Sequence, residues 1–240
     1  MSETRGVFSL EDIIEQKLEN EWVLLEDVWL EPSFPGTGYF GGGNFPGVST
    51  MDKVTYSSDT TAAVPGANLT AARYKLAATG NSTHGYFGGG RFPETAQMDK
   101  VTYSSDTTAA VPGANLTVAR GYLAATGNST HGYFGGGNLP GRTSLMDKTT
   151  YASDTTAAVP GANLSVARFY LAATGNSEAG YFGGGNPATT PFMDKVTYSS
   201  DTTAAVPGAN LTVERQALAA SSSRANALPV TGLGPAPVIV

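Results

Sequence analysis

The chain has 240 residues, 40% of them hydrophobic and only 14% charged, with 30 glycines, 14 prolines and no cysteine. That length is enough to bury a core as one repeat array, the glycine and proline content suits short strands joined by tight turns, and the lack of cysteine excludes disulfides and thiolate metal sites. The formal net charge is −6, but residues 1–35, where nine acids face only Arg5 and Lys17, carry −7, so the remainder sums to +1 and offers no basic stripe for nucleic acid.

Residues 1–35 form an acidic segment that shares nothing with the rest. Met1–Arg5 lacks the basic start and apolar run of a secretory signal, and no apolar stretch reaches the roughly 20 residues that span a bilayer. A soluble product of a cytoplasm is expected. Ser9 and Asp12 make a start like a capping box, after which Leu10, Ile13, Ile14 and Lys17-Leu18 share one helical face. Trp22–Leu25 and Val28–Leu30 then read as extended and apolar, and both tryptophans, Trp22 and Trp29, lie here. A linker would be more polar, so this segment, with Phe8, is expected to pack on something.

From residue 36 to about 220 the chain repeats. Gly-Tyr-Phe-Gly-Gly-Gly begins at Gly38, Gly85, Gly132 and Gly180, and Met-Asp-Lys begins at Met51, Met98, Met146 and Met193. The period is about 47 residues, and a one-residue insertion in the third copy falls between the two motifs. Each unit predicts four strands, named A to D here. In the second copy they are Leu76–Thr79, Gly85–Gly88, Asp99–Tyr103 and Thr107–Val111, separated by turn signals at Gly80-Asn81, Ser104–Asp106 and Pro112-Gly113. The array opens on a B strand and ends on a lone A strand, Gln216–Ala220, which is expected to close the first sheet and leave no open seam. Two chains sharing a larger ring, or an open stack, are alternatives. Residues 221–240, rich in Ser, Ala and Pro before Pro237-Val238-Ile239-Val240, read as an irregular tail.

Two windows vary among otherwise near-identical copies. One is the B–C loop (44–50, 91–97, 138–145, 186–192); the other follows the arginine before strand A (Tyr74-Lys75, Gly121-Tyr122, Phe169-Tyr170, Gln216-Ala217). Successive antiparallel strands would put both windows at the same end of every sheet. Loops on a rigid scaffold favour binding, which makes Phe45, Tyr74, Arg91, Phe92, Tyr122, Arg142, Phe169 and Tyr170 the candidate binding residues. Drift of unrestrained loops would leave the same pattern.

Other chemical signals read as structural. His84 and His131 recur in only two copies and do not supply a coordination shell, so no metal is expected. Asp59, Asp106, Asp154 and Asp201 are expected to bond their own turn backbone. The Asn-X-Ser/Thr triplets read as turns, and the Gly triplets lack the Lys-Ser/Thr of a phosphate loop. No nucleophile–base–acid set is present, so neither an enzyme nor a cofactor is expected.

A glycine pair closing one strand, a tyrosine two elements on (Tyr56, Tyr103, Tyr151, Tyr198) and an Ala-Arg before the next strand (Ala72-Arg73, Ala119-Arg120, Ala167-Arg168) resemble a kelch motif. The last copy departs with Glu214-Arg215, and the kelch tryptophan is missing. The unit running from Gly-Tyr-Phe-Gly-Gly-Gly to Pro-Gly-Ala-Asn-Leu is similar to repeats of cyanophage virion and tail proteins, and Arg5–Leu10 more loosely resembles the start of tail-associated phage proteins. The resemblance implies an all-β, kelch-like propeller of four blades in a virion, built as a tail appendage that meets a host glycan or protein. It further implies that residues 1–35, through Phe8, Leu10, Ile13, Ile14, Trp22 and Trp29, either cap the propeller edge or dock on another virion protein. A decoration protein, or a cellular kelch-type scaffold, is the alternative.

Overall fold

The computed structural model describes residues 36–91, 93–186 and 191–222. These form four successive antiparallel sheets and almost no helix. The first sheet comprises β1 (Thr37–Gly41), β2 (Met51–Thr55) and β3 (Thr60–Ala63); the second, β4 (Ala77–Gly80), β5 (His84–Gly88), β6 (Met98–Thr102) and β7 (Thr107–Ala110). The third runs β8 (Ala124–Gly127), β9 (His131–Gly135), β12 (Met146–Thr150) and β13 (Thr155–Ala158), with a small hairpin, β10 (Asn138–Leu139) and β11 (Gly141–Arg142), between β9 and β12. The fourth comprises β14 (Ala172–Gly175), β15 (Ala179–Gly183), β16 (Met193–Thr197) and β17 (Thr202–Ala205). The strands therefore lie within a residue or so of the positions expected from alternation and turn chemistry. In each unit the last strand runs into a short 3₁₀ turn, Pro112–Ala114 in the second copy, and the following Asn115 side chain accepts a hydrogen bond from the Met98 amide.

The inner strands have two faces to bury, and period-2 alternation assigns them to different neighbours, whereas the last strand of each sheet is largely exposed. On β6, Asp99 and Val101 face the first sheet, where Val101 joins Met51, Leu69 and Phe87. Met98 and Lys100 face the third, where Met98 meets Leu116 and Phe134. On β5, Phe87 points back and Tyr86 points forward. The hydrophobic core is thus divided among the gaps between sheets. The motif glycines make room for these side chains: a Cβ on Gly88 would meet Met98 Cε at 2.7 Å and Phe134 at 3.0 Å. β8 packs against both β4 and β14.

One interface occurs three times. Tyrosines stack across it, Tyr39 on Tyr103, Tyr86 on Tyr151 and Tyr133 on Tyr198, with ring centroids 5.0, 4.7 and 4.7 Å apart. The hydroxyls of Tyr39, Tyr86 and Tyr133 donate to Asp106, Asp154 and Asp201 of the next sheet, and Lys53, Lys100 and Lys148 pair with the same carboxylates. The expectation that these aspartates bond their own turn therefore needs correction. A left-handed φ of 50° at both Asp106 and Asp154 orients the residue, and the side chain serves the sheet before it. Deeper in, Arg73, Arg120 and Arg168 reach Asp99, Asp147 and Asp194 at 3.0, 2.8 and 2.5 Å, with all six side chains essentially buried.

These contacts give acid stability a sign. The Tyr39 hydroxyl and the Lys53 ammonium hold Asp106 below the usual carboxylate range. At Asp154, partial burial acts to raise the pKa, but hydrogen bonds from Lys100 and Tyr86 outweigh it and leave the group depressed. A depressed folded pKa contributes stability that is complete above the unfolded value near 4 and is lost as pH falls through the folded value. By circular dichroism, thermal stability is expected to weaken gradually as pH falls from about 7, because burial lowers the His84 and His131 pKa values in the folded chain and unfolding then takes up protons. It should weaken further below about pH 4, with a smaller acid-dependent loss in Asp154→Asn. A midpoint that rises on acidification would refute this assignment.

Among the described residues the fourth such interface is not made. The first sheet has three strands, and Gln216–Ala220, the expected closing strand, belongs to no strand, nor do residues 221 and 222. A Cβ at Gly80 would come within 2.3 Å of the His84 carbonyl oxygen, so the pairing in the other sheets depends on glycine there. The last copy carries Ser222 at that place, and because its expected partner β1 lies at the start of the array, no hairpin turn joins the two.

Candidate binding face

The two variable windows meet in space, as the strand order requires. In the second unit, Tyr74 and Arg91 exchange backbone hydrogen bonds of 3.3 and 2.8 Å. Gly121 and Asn138 do the same in the third unit, and Phe169 and Asn186 in the fourth. The next residue along, Lys75, Tyr122, Tyr170 or Ala217, has a left-handed φ of 55–60°. That turn brings each amide onto the carbonyl of the copy before: Tyr122 donates to Lys75, Tyr170 to Tyr122 and Ala217 to Tyr170, at 2.8, 3.1 and 2.8 Å. These four residues, with Leu76, Leu123, Leu171 and Leu218 beneath them, line an open cleft of about 240 Å³.

The side chains there form an aromatic and cationic cluster. Tyr122 and Tyr170 meet nearly edge to face at 4.4 Å, and Phe169 lies 5.8 Å from Tyr122 and 5.0 Å from Tyr170. The Lys75 ammonium sits 5.4 Å from the Tyr122 ring and 5.3 Å from the Tyr170 ring. The Arg91 guanidinium lies 5.2 Å from the Tyr122 ring, donates to its hydroxyl at 3.3 Å and pairs with Glu94 at 3.0 Å. Partial burial works to raise the Tyr122 pKa, but the Tyr170 hydroxyl and the Arg91 and Lys75 charges outweigh it and hold Tyr122 below the usual tyrosine range. Burial and the Tyr122 hydroxyl push Tyr170 the other way. Half-buried rings beside two cations suit a ligand with an apolar surface and an anionic group.

Of the candidate binding residues, Arg91, Tyr122, Phe169 and Tyr170 share this cluster. Phe45, 70% exposed, stands edge-on to Tyr74 at 5.8 Å. Arg142 is exposed on the β10–β11 hairpin, where it pairs in register with Asn138. Phe92 and the docking candidates Phe8, Leu10, Ile13, Ile14, Trp22 and Trp29 lie outside the described residues, as does the tail after residue 222. Sequence reasoning passed over Lys75. Its register with Tyr122 and Tyr170 was the available signal, and its role as the cation between two rings belongs to the fold.

The remaining polar motifs go to structure. Asn81 Oδ1 accepts from the amides of Thr83 and His84, and Asn128 does the same in the next copy, so these asparagines hold turns as expected. His84 and His131 each face a threonine hydroxyl of their own turn at 2.8 Å, and burial lowers both pKa values. Among the described residues no group of three His, Cys, Asp or Glu is placed to hold a metal ion, and no helix is long and apolar enough to cross a membrane. A larger cavity of about 520 Å³ lies elsewhere, where β4, β8 and β14 converge with β1 and with residues 220–222. Neither a protein-family model nor a curated protein matches this chain.

Proposed function

We propose that the chain is a non-enzymatic structural component of a phage virion, a tail appendage whose kelch-like propeller presents one variable face to a host-surface glycan or protein. The observation that carries this reading is that residues of both variable windows, Arg91 from one and Lys75, Tyr122, Phe169 and Tyr170 from the other, meet in one aromatic and cationic cluster. Four-stranded antiparallel sheets in series, with β4, β8 and β14 around a shared cavity, support the propeller. The likeness of the repeat unit to cyanophage virion repeats supports the particle, and residues 1–35 are the proposed attachment to other virion proteins.

The test is binding of the labelled full-length chain to intact host-type cells and to isolated envelope glycans, with Tyr122→Ala and Arg91→Ala as the probes. The fold tolerates alanine at the first position, because Ala217 occupies the corresponding place in the last copy with a φ of 55°. Each substitution is expected to weaken binding by about thirtyfold, the effect of removing a central aromatic or arginine anchor. Unchanged binding by both variants would remove this face from the function. No binding by the folded wild type would leave a role inside the particle.

A further inference from the structure

The interface made three times has two unlike halves, and the chain carries one spare copy of each. On the first sheet, Phe40 is 67% exposed, whereas its counterparts Phe87, Phe134 and Phe182 fill the core of the preceding gap at 6, 0 and 0%. Asp52 and Asp59 on the same sheet are exposed, although the equivalent aspartates in later units are held by arginine, lysine and tyrosine. On the fourth sheet the opposite half is open. Arg215 is exposed where Arg73, Arg120 and Arg168 are at most 1% exposed. Tyr181 and Lys195, the counterparts of Tyr133 and Lys148, have no aspartate facing them among the described residues. Gly113 lies under the Asp154 carbonyl oxygen, 2.8 Å from where its Cβ would be, while nothing approaches the equivalent Gly208 within 4 Å.

We infer that these halves join different copies of this chain, the fourth sheet of one molecule packing on the first sheet of the next. Charge and shape match by register: Arg215 to Asp52, Lys195 and Tyr181 to Asp59, and Phe40 into the gap beside Met193 and Leu211. The contact continues an interface the chain already builds, so its geometry is known from three examples. Within one molecule the two halves are left unpaired: Phe40, Asp52, Asp59 and Arg215 stay exposed although β1 and residues 220–222 line the same cavity. The association is head-to-tail, so each molecule uses one half toward either neighbour.

Sedimentation velocity of the full-length chain tests this without reference to ligand binding. Wild type is expected to self-associate between about 1 and about 100 µM, the range reached by ordinary specific interfaces. Arg215→Glu spoils one half and Phe40→Asp the other. Both residues are exposed in the single chain, so each variant should fold, as checked by circular dichroism, yet associate more than about thirtyfold more weakly. An equimolar mixture of the two variants keeps one intact pairing and should recover a dimer; Asp59→Lys in place of Phe40→Asp should behave alike. A monomeric wild type, a variant that associates normally, or a mixture that stays monomeric would each overturn the inference. A monomer whose melting point falls with Phe40→Asp would show that the ring closes on itself.

Discussion

Replacing Asp147 by alanine is expected to cost about 3–5 kcal/mol, the usual penalty for removing one partner of a buried ion pair. Arg120 is the reason. Its Nη1 donates to Asp147 at 2.8 Å, its Nε to the Gly136 carbonyl and its Nη2 to the Phe134 carbonyl, so the guanidinium is locked in place with no route to water. Asp147 in turn accepts from the Thr117 amide and hydroxyl at 3.0 and 2.6 Å. Alanine would leave a buried cation without its counter-charge and strand both Thr117 donors. Asp52 occupies the same motif position but is exposed, and Asp52→Ala in dilute solution is expected to change stability by no more than about 0.5 kcal/mol. Chemical denaturation of the two variants side by side decides the matter, and equal losses would mean that the buried pair is not what couples the sheets. Arg120 is the best choice for the comparison because Arg73 and Arg168 each retain guanidinium nitrogens with no partner.

A second large effect follows from the phenylalanine of the Gly-Tyr-Phe-Gly motif. Phe134 is fully buried between the second and third sheets against Met98 and Leu116. Truncation to alanine removes its transfer energy and leaves a cavity, together worth about 3–5 kcal/mol. Phe40, identical in sequence context, is 67% exposed, so Phe40→Ala at low protein concentration should cost about 0.5 kcal/mol or less. Thermal or denaturant unfolding distinguishes the two. A similar, large loss at Phe40 would mean that the first sheet is covered even in the monomer. If the head-to-tail contact forms, the cost at Phe40 should grow with protein concentration while the cost at Phe134 stays constant, because only the former depends on a neighbour.

The repeat explains why much of this molecule could be read from its residues alone. The period, the four strands of each unit and the turns between them follow from local chemistry: alternation, Asn and Asp at tight turns, and Pro-Gly after the last strand. The shared face of the two variable windows also follows, because antiparallel order places every second connection at the same end. These properties depend on neighbours along the chain, and Tyr74 with Arg91 came together accordingly. Residues 1–35 carried an equally local reading that falls outside the described residues.

What only the tertiary structure decided are the pairings between units. Asp147 and Asp154 both look like strand or turn residues, yet one is a buried partner of Arg120 and the other a surface anchor for Tyr86 and Lys100. Nothing local separates the two roles, since each depends on which face of a strand meets the next sheet. The open seam is of the same kind. Residues 216–220 have the pattern of a first strand, but whether they pair with β1 depends on how far each inter-sheet step turns the array, a property of packed side chains summed over three interfaces.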